Sequence, residues 1–234
     1  MAGLGELTPN STGIQHQWQL NDCGNGPFAM QTSFTTNLPP IILASASPRR
    51  RDLLAQIEVV PAAICATDID ETPHKAEKPT DYAVRMAVEK AMAGVDRAKA
   101  EGVMTPDSVI LAGDTVVACG RRILPKTEDI DSAKSCLELL SGRRHRVFGG
   151  IAVRLANGQL RSRLVTSTVR FKRLDKVEID CYLASGDWQG KAGGYAIQGP
   201  AARLIQHIDG SYSNIVGFSL YDVSMLLGGL QSHG

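Results

Sequence analysis

The sequence predicts a mixed α/β fold in which helices alternate with the strands of a sheet. Short apolar runs such as 41–43 and 109–117 are typical of buried strands, and segments with helical spacing of apolar residues separate them. Two further strand-like segments flank the turn residues Asn157 and Gly158, which predicts a hairpin. This interleaving of helices with parallel and hairpin strands argues against a helical bundle or a closed barrel.

The predicted elements follow one another from residue 41. Ile41–Leu43 indicates a buried strand, and Pro48–Ile57 indicates a helix with Ser47 as its expected N-cap. The later predictions are the strand Val59–Cys65, the helix Pro79–Ala100, the strand Val109–Val117, the helix Asp129–Leu140, the strands Val147–Leu155 and Leu160–Phe171, the helix Val177–Ser185, the strand Leu204–Ile208 and the helix Leu220–Leu227.

The helix predicted over 79–100 has a readable apolar stripe. Its apolar residues recur at steps of three and four positions, which is the spacing of one helix face. The prediction therefore places Arg85 and Lys90 outside the strictly apolar stripe. The residues of the predicted stripe are Val84, Ala87, Val88 and Ala91.

Composition narrows the function classes. The formal net charge is +1 and aromatic residues make up 5% of the chain, so a nucleic-acid-binding or membrane-surface protein is disfavoured. The five cysteines include no Cys-x-x-Cys pair, which predicts reduced thiols and neither a disulfide framework nor a zinc site. No apolar run in the sequence approaches transmembrane length. We therefore expect a cytoplasmic globular protein.

Residues 1–38 are predicted to form a disordered extension, and residues 39–234 a single domain. The extension is rich in Gly, Asn, Gln, Ser and Thr and has no sustained periodicity. It also lacks the basic start and apolar core of a signal peptide. Met30 is therefore a candidate for the true initiator, and no chemistry is expected before residue 40.

The segment Ser45–Arg51 predicts an anion site. It places free backbone N–H groups, two hydroxyls and up to three guanidinium groups at the start of one helix. A helix N-terminus favours negative charge through its dipole and its unpaired amides, and arginine forks match phosphate oxygens. From this segment alone, an ordinary capped helix with solvated arginines is the alternative.

Two acidic positions are candidates for metal binding or water activation. The loop over 68–71 carries three carboxylates, a ligand type that Mg²⁺ or Mn²⁺ uses together with phosphate oxygens. Asp114 follows Gly113 at the end of the most hydrophobic strand, a common catalytic location in α/β sheets, where it could hold a metal or act as a general base. A solvated acidic loop and a strand-end cap are the alternatives.

Two later segments suit a nucleotide. Lys126, which follows Pro125, suits a phosphate contact, although a lone lysine is usually solvated. The segment Lys191–Gly199 combines glycines with Tyr195 and Gln198, so that backbone and an amide side chain can reach the edge of a planar ligand. A glycine-rich β-turn would account for the same glycines.

In combination and order, these segments resemble the Maf family of nucleoside triphosphate pyrophosphatases. The resemblance extends from about residue 40 to the C-terminus. It is carried by Leu43-Ala-Ser-x-Ser-Pro-Arg-Arg, the Asp-Glu loop, Arg85-x-Ala-x-x-Lys90-Ala, Gly113-Asp-Thr-Val-Val, Leu124-Pro-Lys, Leu140-Ser-Gly, Ala192-Gly-Gly-Tyr-Ala-Ile-Gln-Gly199 and Gly210-Ser-Tyr-Ser-Asn-Ile-Val-Gly217.

The resemblance implies a fold similar to the inosine triphosphatase class, an elongated mixed α/β sheet with a central cleft between two lobes. It also implies metal-dependent hydrolysis of a nucleoside triphosphate to the monophosphate and pyrophosphate, with Mg²⁺, Mn²⁺ or Co²⁺ as cofactor. A homodimer and a role in removing surplus or modified nucleotides are further family-level expectations. Neither nucleic acid nor a membrane is an expected partner.

The site residues implied by the resemblance fall into three groups. Glu71 and Asp114 would hold the cation and activate water. Lys90 and Lys126 would complete the catalytic set by stabilising the charge that develops on pyrophosphate. The remaining residues would bind substrate, and these are Ser45, Ser47, Arg49, Thr115 and Gln198.

Within the family, one branch acts on dTTP and UTP and another prefers 7-methyl-GTP. Asp114-Thr115 matches the first branch, since the second typically carries Asp-Gln, and Arg49, Thr115 and Gln198 fall on positions linked to specificity. We therefore expect a dTTP/UTP pyrophosphatase. The alternatives are a 7-methyl-GTP or modified-nucleotide pyrophosphatase, a weakly catalytic nucleotide-binding regulator of septum formation, and a sugar-nucleotide or phosphate-ester enzyme on a similar sheet.

The chain departs from the family pattern at a few positions. Gly113 stands where the family usually has Ala, and Phe218 and Ser219 stand where Leu-rich versions are common. Pro200 after Gly199 is a further difference. These departures concern the wall of the expected pocket and leave the acidic residue at 114 in place.

Overall fold

The computed structural model describes residues 38–231, in which helices and strands alternate. The strands are β1 (Ile41–Ala44), β2 (Ala63–Ile64), β3 (Val109–Cys119), β4 (Arg122–Leu124), β5 (Lys126–Thr127), β6 (Arg144–Leu155), β7 (Leu160–Phe171), β8 (Lys191–Ala192) and β9 (Ile205–Asp209). The helices are α1 (Pro48–Gln56), α2 (Pro79–Ala100), α3 (Ile130–Leu140), α4 (Lys176–Ala184), α5 (Tyr212–Val216) and α6 (Leu220–Gln231), with a 3-10 helix at Pro200–Leu204.

The main sheet of the described residues has seven strands and mixes parallel with antiparallel pairs. Its order is β2-β1-β3-β6-β7-β9, with β4 paired to β3. The β2, β1 and β3 pairs are parallel, and the pairs from β3 through β6 and β7 to β9 are antiparallel. β5 and β8 form a separate two-stranded sheet. The mixed α/β fold that the sequence predicts is confirmed, including the hairpin that turns at Asn157 and Gly158.

Helices cover both faces of this sheet, and the alternation of side chains along each strand decides which face a residue joins. In β1, Ile42 and Ala44 pack in the apolar cluster beneath α2. Ile41 and Leu43 pack instead in the larger cluster on the other face, which also contains buried residues of α1, α3, α4 and α6. On β1 and β3, a side chain at an even position therefore faces α2, and one at an odd position faces α1.

Helix α2 has the predicted bounds, but its buried face differs from the predicted stripe. Val84 and Val88 are half-buried, whereas Lys90 is buried together with Ala83, Ala87 and other residues of the inner face. Lys90 lies outside the predicted valine and alanine stripe, but it is buried because the buried face of α2 is wider than that stripe. The carboxylates of buried Asp114 and half-buried Glu71 compensate the charge of Lys90, as described below.

Close packing holds α2 in place over the sheet. A Cβ on Gly150 of β6 would lie 1.9 Å from the carbonyl oxygen of Ala83, and a Cβ on Gly94 would lie 2.6 Å from the Cβ of Ala44. Because neither glycine carries a side chain, the helix backbone can approach β6 and β1 directly. This contact brings the inner face of α2 within side-chain reach of β3.

The short elements differ most from the predictions. Of the predicted strand Val59–Cys65, only Ala63–Ile64 pairs with β1, since Glu58 has a φ of 59° and Val60 is exposed. The predicted strand at 204 begins one residue later, after the 3-10 helix. Strands β4, β5 and β8 and helix α5 were absent from the predictions, because elements of two to five residues carry too little periodicity.

Residues 1–37 of the extension predicted over 1–38 lie outside the described residues. The extension therefore stays a prediction. Leu38 is described, and it packs partly against the main apolar cluster. The assignment of 39–234 to one domain is likewise a prediction. No helix between residues 38 and 231 is both long and apolar enough to cross a membrane.

Candidate active site

A buried ammonium group links the two acidic residues that the sequence analysis selects. The Nζ of Lys90 lies 2.6 Å from Oδ1 of Asp114 and 2.7 Å from Oε1 of Glu71. The other carboxylate oxygen of Glu71 lies 2.5 Å from Nζ of Lys126. Two acids and two lysines from α2, β3, β5 and the loop before α2 therefore form one continuous network.

Strand alternation explains how β3 serves two parts of the site. Asp114 is on the same face as Ala112 and Val116, which pack towards α2, so its carboxylate reaches Lys90. Thr115 points to the opposite face, where its hydroxyl accepts a hydrogen bond of 3.2 Å from Arg50 of α1. The adjacent pair Asp114-Thr115 thus contributes one side chain to each face of the sheet.

The electrostatics of Glu71 result from two opposing effects. Burial raises the pKa of Glu71, but the hydrogen bonds from Lys126 and Lys90 outweigh this and hold the pKa below its usual range. Burial, with the charges of Asp114 and Glu71, raises the pKa of Tyr82 to about 12. The Tyr82 hydroxyl therefore keeps its proton, which it donates to the backbone oxygen of Glu71 at 2.6 Å.

The turn before α1 lines the same cleft as the two acids and two lysines. Ser47 occupies the N-cap position, but its side chain makes no capping hydrogen bond, and Pro48 begins the helix. The Oγ of Ser45 instead accepts the backbone N–H of Ser47 at 3.2 Å. Within the predicted anion site, Ser45 therefore stabilises the turn by a hydrogen bond to its backbone. Arg49 is half-buried and lines the cleft.

Arg50 is a site residue that the sequence analysis did not select. It is buried, and its guanidinium donates to the carbonyl of Gly217, to Ser45 Oγ and to Thr115 Oγ1 at 3.1, 3.0 and 3.2 Å. Its carbon Cζ also lies 5.3 Å from the centre of the Phe218 ring. Burial lowers the pKa of Arg50, although arginine remains charged in proteins.

A signal for Arg50 was present in the sequence. Arg50, Leu53 and Leu54 have the i, i+3, i+4 spacing of one helix face, and these three residues form the buried face of α1. This spacing by itself separates Arg50 from Arg49 and from the exposed Arg51. The prediction named Arg49 because the family resemblance places it at a position linked to specificity.

All nine predicted site residues line a single cleft of about 500 Å³. This volume is within the range of small-molecule sites. The cleft lies between the β1–α1 turn, the middle of β3 and the β5–β8 pair, and the exposed amide of Gln198 lines it after β8. The prediction that Asp114 stands at the end of its strand is wrong, because β3 continues to Cys119. A second cavity of about 320 Å³ shares Glu71, Asp114 and Lys126 with it, and Tyr82 lines its other side.

The donor set fits a divalent cation that takes part of its coordination from a substrate. Mg²⁺ is usually held by one or two carboxylates together with substrate phosphates and water. Glu71 and Asp114 supply two carboxylates that share one ammonium partner. Among residues 38–231 no group of three or more His, Cys, Asp or Glu side chains converges, and Asp70 caps the N–H of Thr72 instead.

Comparisons with known proteins identify the family of this chain. Residues 40–230 match the family model described as Maf-like protein. The chain is 55% identical over 189 residues to the dTTP/UTP pyrophosphatase of Paramagnetospirillum magneticum, covering 81% of this chain and 96% of that one. It is 52% identical over 200 residues to the dTTP/UTP pyrophosphatase of Novosphingobium aromaticivorans, covering 86% and 96% of the two chains.

A further relative, the dTTP/UTP pyrophosphatase of Rhodospirillum rubrum, is 54% identical over 83% of this chain and 90% of its own. Among solved structures, a nucleoside-triphosphatase / dITP/XTP pyrophosphatase from Mycobacterium abscessus matches 57% of this chain and 73% of that one at 15% identity and a TM-score of 0.37. The family model and the relatives together cover nearly all of the described residues. The chain belongs to the Maf family.

Proposed function

We propose that this protein hydrolyses dTTP and UTP to the corresponding monophosphate and pyrophosphate. The observation that carries the proposal is the network of Asp114, Lys90 and Glu71 in a cleft that is also lined by a helix N-terminus with serines and Arg49. In this proposal the acids activate a water molecule and the anion-binding groups hold the triphosphate. The names of relatives more than 50% identical to this chain support the same reaction and substrates.

The triphosphate would bind at the β1–α1 turn. Backbone N–H groups at the start of α1 and the side chain of Arg49 provide donors for phosphate oxygens. The Oγ of Ser45 already accepts from Ser47 N–H and from Arg50, so its own proton is available to donate into the cleft. Ser47 lines the cleft with a hydroxyl that is not used in capping.

Asp114 is the best candidate for the general base. A water oxygen attacks the α-phosphorus, its proton passes to the Asp114 carboxylate, and the bond from the α-phosphorus to the bridging oxygen breaks so that pyrophosphate leaves. Lys90 orients the carboxylate through its 2.6 Å hydrogen bond. Lys126 and Lys90 balance the negative charge that grows on the leaving group.

Glu71 and Asp114 would hold the divalent cation, for which Mg²⁺, Mn²⁺ and Co²⁺ are the candidates. When bound, such a cation neutralises phosphate charge and orients the reacting groups. The lysine network of the described residues keeps both carboxylates facing the cleft.

A pyrimidine base would meet Gln198, whose amide can pair with the donor and acceptor edge of uracil or thymine. Hydrolysis of free dTTP and UTP would remove surplus or modified pyrimidine nucleotides from the cell. A free nucleotide, and neither nucleic acid nor a membrane, is the proposed partner. A homodimer is proposed on family grounds.

The decisive experiment identifies the products of a nucleotide panel. The protein is incubated with each triphosphate and Mg²⁺, Mn²⁺ or Co²⁺, and monophosphate, pyrophosphate and orthophosphate are quantified. Equimolar monophosphate and pyrophosphate from dTTP and UTP is the expected result. Release of orthophosphate would favour a phosphate-ester enzyme, and tight binding without turnover would favour a nucleotide-binding regulator.

A further inference from the structure

We infer that Tyr82 and Arg85 are positioning residues that fix where the carboxylate of Glu71 stands. This inference deepens the proposed function, since it concerns the same acid. The sequence analysis noted Arg85 within a motif but gave it no role, and it did not select Tyr82. Both residues belong to α2, the helix that also carries Lys90.

The backbone around Glu71 is held although it lies outside any helix or strand. The carbonyl oxygen of Glu71 accepts the Tyr82 hydroxyl at 2.6 Å. The N–H of the same peptide group, that of Thr72, donates to Oδ1 of Asp70 at 2.9 Å. Both polar atoms of the Glu71–Thr72 peptide are therefore hydrogen-bonded, which fixes its orientation in a loop where backbone is usually free to rotate.

Arg85 holds the next peptide group and closes the loop behind it. Its Nη2 donates to the carbonyl oxygen of Thr72 at 3.1 Å. Its Nε and Nη2 also form a forked pair with the two carboxylate oxygens of Glu77, each at 2.7 Å. Glu77 in turn accepts the backbone N–H of His74 at 2.8 Å. The segment 72–77 is thus bound to α2 through a single guanidinium.

Tyr82 is a rigid support for these contacts. Its side chain is 8% exposed and packs in a cluster with Met86, Val116 and Phe148. The guanidinium carbon of Arg85 lies 5.4 Å from the centre of the Tyr82 ring, so the two side chains also stabilise each other.

Residues of one helix, α2, therefore bind Glu71 both at its backbone and at its carboxylate. Tyr82 fixes the backbone of Glu71, and Lys90, eight residues further along α2, binds its carboxylate. Without the Tyr82 hydroxyl the backbone end would be released, while the lysines would still attract the carboxylate. A displacement of about 1 Å in a catalytic group can lower a rate by about 100-fold, so even a partial release should affect turnover.

The test is a double-mutant cycle between Tyr82→Phe and Glu71→Gln. Tyr82→Phe removes one hydroxyl and keeps the buried ring. We expect it to lower kcat for dTTP about tenfold with little change in KM. The Tyr82 hydroxyl positions the carboxylate of Glu71 and does not contact the residues expected to bind the nucleobase or the triphosphate. In the Glu71→Gln background the same change should alter kcat less than about twofold, since its target is already lost. Tyr221→Phe, on the exposed face of α6, is the matched control.

Arg85→Lys gives an independent variant, because it keeps the charge but cannot form the fork on Glu77. It should also lower kcat, and Arg97→Lys, which alters a surface pair on the same helix, should not. An equal fall in kcat from Tyr82→Phe in both backgrounds, or an unchanged kcat in the wild-type background, would overturn the inference.

A readout that does not depend on turnover separates this inference from the proposed function. Amide hydrogen exchange over 67–77 should become faster in Tyr82→Phe, while exchange in the sheet and the melting temperature stay near the wild-type values. Unchanged exchange in this segment would overturn the inference. If the wild-type protein releases no pyrophosphate from dTTP, the proposed function fails, and the exchange experiment still decides the positioning role.

Discussion

A Cβ on Gly113 would lie 2.3 Å from Cε1 of Phe218, so the phenyl ring fills the space that a side chain at position 113 would need. Phe218 is 1% exposed, and its ring supports the guanidinium of Arg50. The sequence analysis marks both positions as departures from the family pattern. The two positions are in contact in the structure, where the absence of a side chain on Gly113 of β3 leaves room for the Phe218 ring before α6.

This relationship predicts that Gly113→Ala is destabilising by itself. The added methyl group must displace the ring or the strand, and overpacking of this kind typically costs about 1 to 3 kcal/mol. Phe218→Leu in the same chain removes the closest contact and should recover part of the lost stability, while the backbone oxygen of Gly150, 3.0 Å from the added Cβ, stays in place. The free energies of unfolding of the two single variants and the double variant, measured in urea, check this prediction. Additive losses would show that the two positions are independent.

Asp114→Asn tests the general base. The amide keeps the size of the side chain and an acceptor for Lys90 but removes the charge that takes the proton. Loss of a general base commonly lowers the rate by about 10²- to 10⁴-fold. We therefore expect a fall of that size in kcat and little change in the melting temperature. Steady-state kinetics with dTTP, alongside thermal unfolding, measure both. A variant with near-normal turnover would transfer the role to Glu71.

Arg50→Lys tests the residue that the sequence analysis missed. Lysine keeps the charge but cannot donate hydrogen bonds to Ser45, Thr115 and the Gly217 carbonyl at the same time. Each buried group left without a partner costs about 1 to 3 kcal/mol, so we expect lower stability and a higher KM for the triphosphate. Arg51→Lys is the control, since Arg51 is exposed on the same turn. Equal behaviour of the two variants would contradict the role of Arg50.

The long elements of this fold are predictable because their apolar spacing persists over many residues. The helix Pro79–Ala100 and the strand Leu160–Phe171 have the predicted bounds. The pair β5 and β8 was not predictable, since each strand has two residues and is defined by its partner rather than by its own sequence. Yet this pair places Lys126 at the cleft.

The candidate site was predictable in its residue types and less so in its contacts. The sequence motifs predict nine site residues, and all nine line one cleft. The contact between Lys90 and Asp114 depends on how closely α2 approaches β3, which is set by glycines such as Gly150 on a different strand. Tyr82 could not be selected for the same reason, because its hydroxyl matters only once the loop carrying Glu71 has folded over α2.

His145 predicts a pH dependence of stability. It is 1% exposed, its Nε2 lies 2.7 Å from the hydroxyl of Tyr195, and its Nδ1 has no partner among the described residues. Burial lowers the pKa of His145 to about 4. Between that value and the unfolded pKa near 6.5 the unfolded chain binds more protons, so stability is complete above about pH 6.5 and declines as the pH falls towards 4.

The expected loss from this one group is about 2 kcal/mol between pH 7 and pH 5. Urea unfolding at both pH values gives the change in the free energy of unfolding for the wild type and for His145→Phe. The difference between these two changes is the contribution of His145. The variant should be less stable at pH 7, because Tyr195 loses a partner, but less sensitive to acid. Parallel pH profiles for the two proteins would show that His145 does not titrate as its burial predicts.

The last prediction concerns the choice of base, which depends on Gln198. An exposed amide at the cleft can donate to one carbonyl of uracil or thymine and accept from its ring N–H, whereas cytosine or a purine presents a different edge. A mismatched base leaves polar groups unpaired at about 1 to 3 kcal/mol each, which corresponds to about 5- to 150-fold in kcat/KM.

We therefore expect dTTP and UTP to be hydrolysed well ahead of CTP, ATP and GTP, with little action on 7-methyl-GTP. Gln198→Ala should lower kcat/KM for dTTP and UTP towards the values for the other nucleotides, because the alanine offers no hydrogen bonds to any base. Turnover at saturating dTTP should change much less, since Asp114, Glu71 and the lysines are untouched. Gln206→Ala, an exposed amide on β9 away from the cleft, is the control. A panel in which 7-methyl-GTP or a purine is the best substrate would contradict the pyrimidine assignment while leaving pyrophosphate release, and the network of Asp114 and Lys90 behind it, intact.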